Sequence, residues 1–215
     1  MSTELEQEQV QEQEMQSDTE EPREFPRNDV EKKKSKKVSP LRGLIELIIT
    51  VAVALALAWG FTNFVAMPYE IPSGSMESTI EIGDRVFSEK VSLYGDGQPQ
   101  VGDIVTFKDV QSPDRTLIKR VIATEGQTVE LINGIVYVDG VALDEDSYTQ
   151  GRPSYELSGS SITFPYTVPA GCIWVMGDNR TNSKDSRWFG AVPVENVTGI
   201  AVFRYWPLNR IGGLD

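Results

Sequence analysis

The chain has 215 residues, 40% of them hydrophobic, enough for one ordinary folded domain plus appendages. Its formal net charge of -12 argues against nucleic acid as a partner of the folded part. There is no histidine and one cysteine, Cys172, which excludes a Ser-His-Asp triad, a Cys-His dyad, a histidine-ligated metal site and an intramolecular disulfide.

Residues 1–30 hold ten acidic side chains against two arginines and few apolar residues. Such a segment buries too little surface to offset its ordering entropy, so it reads as a disordered acidic tail. Residues 31–43 reverse the charge, with six Lys/Arg and one Glu, as membrane flanks do. Residues 44–67 are strongly apolar, and their heart, Leu47–Phe61, reads LIITVAVALALAWGF. A helix of that length spans ~36 Å, more than the ~30 Å of a bilayer core. Glu46 lies near the basic end, within reach of the interface, and Trp59 and Phe61 suit an aromatic belt at the other. A cleaved secretory signal lies closer to the start and ends in small residues, and a buried core helix is rarely apolar on every face. A permanent transmembrane anchor is the better reading. The excess of positive charge at Lys32–Arg42 then places residues 1–43 in the cytoplasm and residues 68–215 outside it.

Pro68 and Pro72 end the helix and force extended chain. Beyond them the pattern is β. Arg85–Val91, Asp103–Lys108, Thr116–Thr124, Cys172–Met176 and Thr198–Trp206 are strand candidates rich in β-branched and aromatic residues. Thr128–Ile132 and Ile135–Val138 flank Asn133-Gly134, a type I′ hairpin signal, and Asp139-Gly140 marks a second turn. Gly151–Ser161 is a polar loop, and residues 127–170 form an inserted hairpin region. No long amphipathic helix follows residue 68, and Cys172 reads as a small buried hydrophobe.

Three stretches could carry chemistry. Ile71-Pro72-Ser73-Gly74-Ser75-Met76 follows the anchor, and a glycine beside a serine allows a tight, exposed turn. In Leu117–Ile122, strand alternation puts Lys119 and Val121 on one face and Ile118, Arg120 and Ile122 on the other. Lys119 is then either a solvated edge residue, the commoner case, or a desolvated lysine whose lowered pKa lets it accept a serine proton. Arg120 reads as structural. Gly177–Arg187 is dense in Asp, Asn, Ser and Arg. It is either an ordinary polar turn or a scaffold for another site, with Asp185 and Arg187 placed for a charge-assisted pair.

At these stretches residues 40–215 resemble the bacterial Ser/Lys branch of the type I signal peptidases. Pro-Ser-Gly-Ser-Met, Gly102-Asp103-Ile104-Val105, Lys119-Arg120-Val121 and Gly-Asp-Asn-Arg through Asp185-Ser186-Arg187 match the family's boxes in order. The resemblance implies a mainly β catalytic domain of partly open, coiled sheets, anchored in the cell membrane by one N-terminal helix. It implies Ser75 as nucleophile and Lys119 as general base, with Ser73 and the Ser75 amide as oxyanion hole. Ser183 would orient Lys119, and Asp178, Arg180, Asp185 and Arg187 would support the site. Ile71, Met76, Ile80 and Ile118 would wall shallow substrate pockets. The implied activity is removal of signal peptides from secreted preproteins after small residues of the A-x-A kind, with no cofactor and no metal. Membrane lipid is a second expected partner, through Phe203, Tyr205 and Trp206, which read equally well as core aromatics. The sequence carries no signal of oligomeric state.

The chain departs from the family pattern at Glu77-Ser78-Thr79-Ile80, where a proline usually precedes Thr-Leu. It departs again at Ala123-Thr124-Glu125-Gly126-Gln127, and at Thr181. Three other readings stay open: a self-cleaving repressor-type Ser-Lys protease, an inactive assembly factor, and a peptidase dedicated to a few substrates. The transmembrane segment speaks against the first and the retained Ser75 and Lys119 against the second.

Overall fold

A computed structural model describes residues 40–214 except Asp96. The expected acidic tail and most of the basic flank lie outside the described residues.

The apolar segment forms helix α1, Pro40–Phe64. Of it, Leu41–Thr62 is long and apolar enough to cross a membrane, and none of that stretch is buried in protein. The helix stops earlier than the sequence suggested, and Ala66 and Met67 already belong to strand β1, Ala66–Glu70. The proline at 68 lies within that strand, opposite Phe87 of β2, Arg85–Glu89. β1 is the outermost strand of its sheet, so a residue without an N–H costs no central ladder bond there.

The remaining strands are β3 Ile104–Lys108, β4 Thr116–Thr124, β5 Thr128–Ile132, β6 Ile135–Val138, β7 Val141–Ala142 and β8 Tyr166–Thr167. They are followed by β9 Cys172–Met176, β10 Val192–Pro193, β11 Val197–Trp206 and β12 Gly212–Gly213. An eight-stranded sheet runs β1-β2-β11-β3-β4-β9-β10, with β12 added to β11, and a four-stranded sheet runs β7-β6-β5-β8. Every described pairing is antiparallel.

The small sheet is built from strands that lie between residues 128 and 167. Asn133 and Gly134 both take positive φ (53° and 83°), as a type I′ turn requires, and set Ile132 opposite Ile135. Between β7 and β8 the chain makes the single helical turn α2, Asp146–Thr149. A second short turn, α3, Ser186–Phe189, is capped by Asp185, whose side chain accepts from Arg187 N.

Strands β3 and β4 are buried on both faces. Ile104 and Ile118 join a cluster with Ile71, Met76, Ile80, Val86 and Ala201. Val105 and Val121 join another with Phe107, Ile173, Val175, Val192 and Ile200. A third cluster, around the fully buried Trp174, ties the small sheet to β9 through Val129, Val136 and Val138. Cys172 is half-buried at its margin rather than enclosed in it.

Candidate active site

β4 is paired on both sides, Val105 of β3 lying opposite Lys119 and Met176 of β9 opposite Arg120. Lys119 is therefore a central-strand residue, 3% exposed, and not a solvated edge lysine. The β9 register delivers the polar loop 177–187 to the same place, because Gly177 follows directly on Met176.

Ser75 sits in the 3-10 turn Gly74–Met76 and is buried. Lys119 Nζ donates to Ser75 Oγ at 2.6 Å and to the Ile118 carbonyl at 2.7 Å. Burial lowers the Lys119 pKa from 10.5 to about 8, against the opposing pull of Asp185, Asp178 and Asp109. A neutral amine within hydrogen-bond reach of a hydroxyl is the arrangement that general-base activation of a serine requires.

Ser73 precedes the turn in extended backbone and is exposed, and its hydroxyl caps nothing. Gly74 does not take positive φ, and the Glu77 carboxylate packs against it where a Cβ would point. Asn179 braces the turn, its Nδ2 donating to Gly74 O and to Glu77 Oε2 (2.9 Å each) and its backbone N–H to Ser75 O (3.1 Å). Ser78 has φ of 90°, a value closed to proline.

Ser183, expected to orient Lys119, makes no hydrogen bond to it in this structure. Its hydroxyl is buried beside the site but has no hydrogen-bond partner among the described residues, and the Lys119 ammonium points elsewhere. It packs so closely on Gly177 that a Cβ there would clash with Ser183 Oγ and Ser75 O. Met76 and Ile80 are fully buried in the core, whereas Ile71 and Ile118 line a small cavity of about 40 Å³ together with Tyr69, Pro72, Leu117 and the polar Glu70, Thr106 and Thr116.

The expected supports form a buried ionic network. Asp178 accepts from Arg120 Nε (3.0 Å) and Nη2 (2.9 Å), and Thr79 Oγ1 also donates to it. Asp185 accepts from Arg187 Nε (2.9 Å) and Nη2 (2.8 Å) and from Gly177 N (3.0 Å). Arg187 Nη2 donates in turn to Arg180 O at 2.8 Å. Arg180 is bound by Glu145 at 2.6 and 2.7 Å, from the inserted region. Burial opposes the Arg180 charge, but the Glu145 hydrogen bonds and charge outweigh it and raise its pKa. Tyr148 lies with its ring 4.3 Å from the Arg120 guanidinium carbon and 5.8 Å from that of Arg180. Its hydroxyl donates to Glu145 at 3.0 Å, and burial, then the Glu145 charge, push its pKa up. Glu145 and Tyr148 carry no motif signal in the sequence, and Asn179, inside the Gly-Asp-Asn-Arg box, is given no role by it. For Glu145 charge balance is the available signal: Arg120, Arg180 and Arg187 stand against only Asp178 and Asp185, and a buried guanidinium needs a carboxylate.

A family described as signal peptidase, peptidase S26, matches residues 44–206. A probable signal peptidase I-1 of Synechocystis sp. is 47% identical over 183 residues, covering 82% of this chain and 89% of the relative. A signal peptidase I of Leptolyngbya laminosa is 41% identical over 178 residues, covering 80% and 84%. A crystal structure of a signal peptidase I from Enterococcus faecalis is 32% identical and covers 48% of this chain and 96% of its own, with a TM-score of 0.42. The family match spans the apolar helix and nearly all of the β region, and the identity holds over most of each relative, so the chain belongs to the signal peptidases of family S26 and is a serine-type peptidase.

Proposed function

We propose that the protein removes N-terminal signal peptides from exported preproteins through a Ser75 acyl-enzyme, with Lys119 as general base. The observation that carries this reading is the 2.6 Å contact between Lys119 Nζ and Ser75 Oγ, made by a lysine that burial brings to about pKa 8. Neutral Lys119 takes the Ser75 proton as Oγ bonds to the scissile carbonyl carbon. The oxyanion is held by the Ser75 amide and the exposed Ser73 hydroxyl. Protonated Lys119 then gives its proton to the amine as the C–N bond breaks. Finally it activates the water that hydrolyses the ester. Ser183 orients Lys119 by turning its unpartnered hydroxyl towards it during turnover. The small cavity at Ile71 and Ile118 favours small residues before the cut, because steric exclusion needs only packing.

Helix α1 anchors the enzyme in the cell membrane, with residues 1–43 cytoplasmic and residues 68–215 on the far side. Phe203 and Trp206, both exposed, support contact with lipid, while Tyr205 stacks on Phe87 at a ring separation of 4.5 Å. The test is cleavage of a preprotein bearing an A-x-A site by the detergent-solubilised protein, with Ser75→Ala and Lys119→Met beside it. Cleavage after the small residue by the wild type alone is expected. Equal cleavage by folded Lys119→Met sinks the assignment of the base.

A further inference from the structure

The segment 145–152 touches each of the three pieces from which the site is built. Ser78 Oγ, three residues beyond Ser75, lies 2.6 Å from the Tyr148 carbonyl and 2.5 Å from that of Glu77, sharing its one proton between them, and accepts from Arg152 Nη1 at 3.3 Å. Arg152 Nη1 also reaches the Thr149 carbonyl at 3.3 Å. The Tyr148 ring covers Arg120, the neighbour of Lys119 on β4, and faces Arg180 on the loop that carries Ser183. Glu145 holds both the Tyr148 hydroxyl and the Arg180 guanidinium. Ser78 makes its bond from a backbone φ of 90°, which side chains other than glycine seldom adopt. The next residue, Thr79, donates to Asp178, the partner of Arg120. Nucleophile turn, base strand and polar loop are thus tied through one short segment of the insertion.

We propose that Ser78 and Tyr148 are positioning residues of the peptidase centre, tying segment 145–152 to the nucleophile turn so that Ser75 stays against Lys119. The inference rests on the Ser75/Lys119 reading above. A displacement of the turn by ~1 Å is enough to cost about 100-fold in rate. Loosening also lets water reach Lys119 Nζ, which undoes the burial that opposes Asp185, Asp178 and Asp109.

The full-length enzyme in detergent, on an A-x-A preprotein, provides the test, with rates per titrated active site and urea midpoints for each variant. Wild type and Ser75→Ala come first. An inactive wild type, or an active Ser75→Ala, removes the Ser75/Lys119 reading and this inference with it. With that control passed, Ser78→Ala and Ser78→Gly are each expected to lower kcat about tenfold or more with KM within about twofold. The acid limb of kcat/KM, near pH 8 in the wild type, moves upward in both. Tyr148→Leu behaves alike, and Tyr148→Phe, which keeps the ring over the guanidinium, recovers most of the rate. Wild-type kcat and an unmoved acid limb in folded Ser78→Ala overturn the proposal. So does a Ser78→Gly enzyme that works normally, since backbone relief rather than the lost bond would then govern the turn. If Tyr148→Leu does not fold, the two Ser78 variants decide alone.

Discussion

Burial that brings Lys119 from pKa 10.5 to about 8 acts on chemistry and on stability with opposite consequences. A base must be neutral, so kcat/KM should rise with pH through about 8 and level off above it, and Lys119→Met should abolish that limb along with the activity. For stability the sign is worked from the same two values. The unfolded chain holds the lysine proton up to 10.5 and the folded one only up to about 8, so the buried charge costs stability below pH 8. That cost fades as pH rises from 8 to 10.5. The full interval is worth up to about 3 kcal/mol at 1.36 kcal/mol per pH unit. Lys119→Met should therefore raise Tm at pH 7 by several degrees, and a lowered Tm would show that the Nζ hydrogen bonds outweigh the desolvation. Ser183 separates the same two quantities. Its hydroxyl is buried without a partner among the described residues, so Ser183→Ala should leave Tm unchanged or slightly raised, yet lower kcat about tenfold if that hydroxyl serves Lys119 in turnover. Ser75 and Lys119 were legible because their surroundings are local motifs. The state of Ser183 was not, because a rotamer and its partners depend on packing that the loop sequence does not encode.

Among elements, the loop 177–187 has few apolar residues to bury and is held instead by ion pairs. Asp178 is fully buried and satisfied by two nitrogens of Arg120 and by Thr79. Removing one partner of such a pair strands the other charge, at about 3–5 kcal/mol. Asp178→Asn should lower the unfolding free energy extrapolated from urea titration by an amount in that range, with Arg120→Met no worse, since it leaves a carboxylate that can take up a proton. A change below about 1 kcal/mol in Asp178→Asn would mean that water replaces the pair. The longer strands were readable: β4, β5, β6 and β9 lie where β-branched and aromatic composition and the Asn133-Gly134 turn put them. The two-residue strands β7, β8, β10 and β12 were not, because they exist only through their partners and have no propensity signal of their own. β1 was hidden by Pro68, which reads as a breaker and is tolerated because the strand is an edge.

For the whole molecule, the three hydrophobic clusters contain no residue of α1. The β region therefore carries its own core, and the helix adds nothing to it that the packing requires. Mainly β architecture and one apolar segment could be read from the sequence because both are compositional. The strand order could not, since β11 enters between β2 and β3 and only long-range pairing sets that. A chain starting at Phe64 keeps the carbonyls that accept from Tyr94 OH and, at 2.8 Å, from Lys90 N. It should unfold at the same urea midpoint as the full chain and turn over a short soluble A-x-A peptide within about twofold of its rate. On a preprotein held in vesicles it should be slower by about tenfold or more, because confining enzyme and substrate to one surface raises their effective concentration. Equal rates on the vesicle-held preprotein would leave α1 without a kinetic role. A collapse of peptide turnover in the folded, shortened chain would mean instead that the helix shapes the catalytic centre, against the separation that the core clusters display.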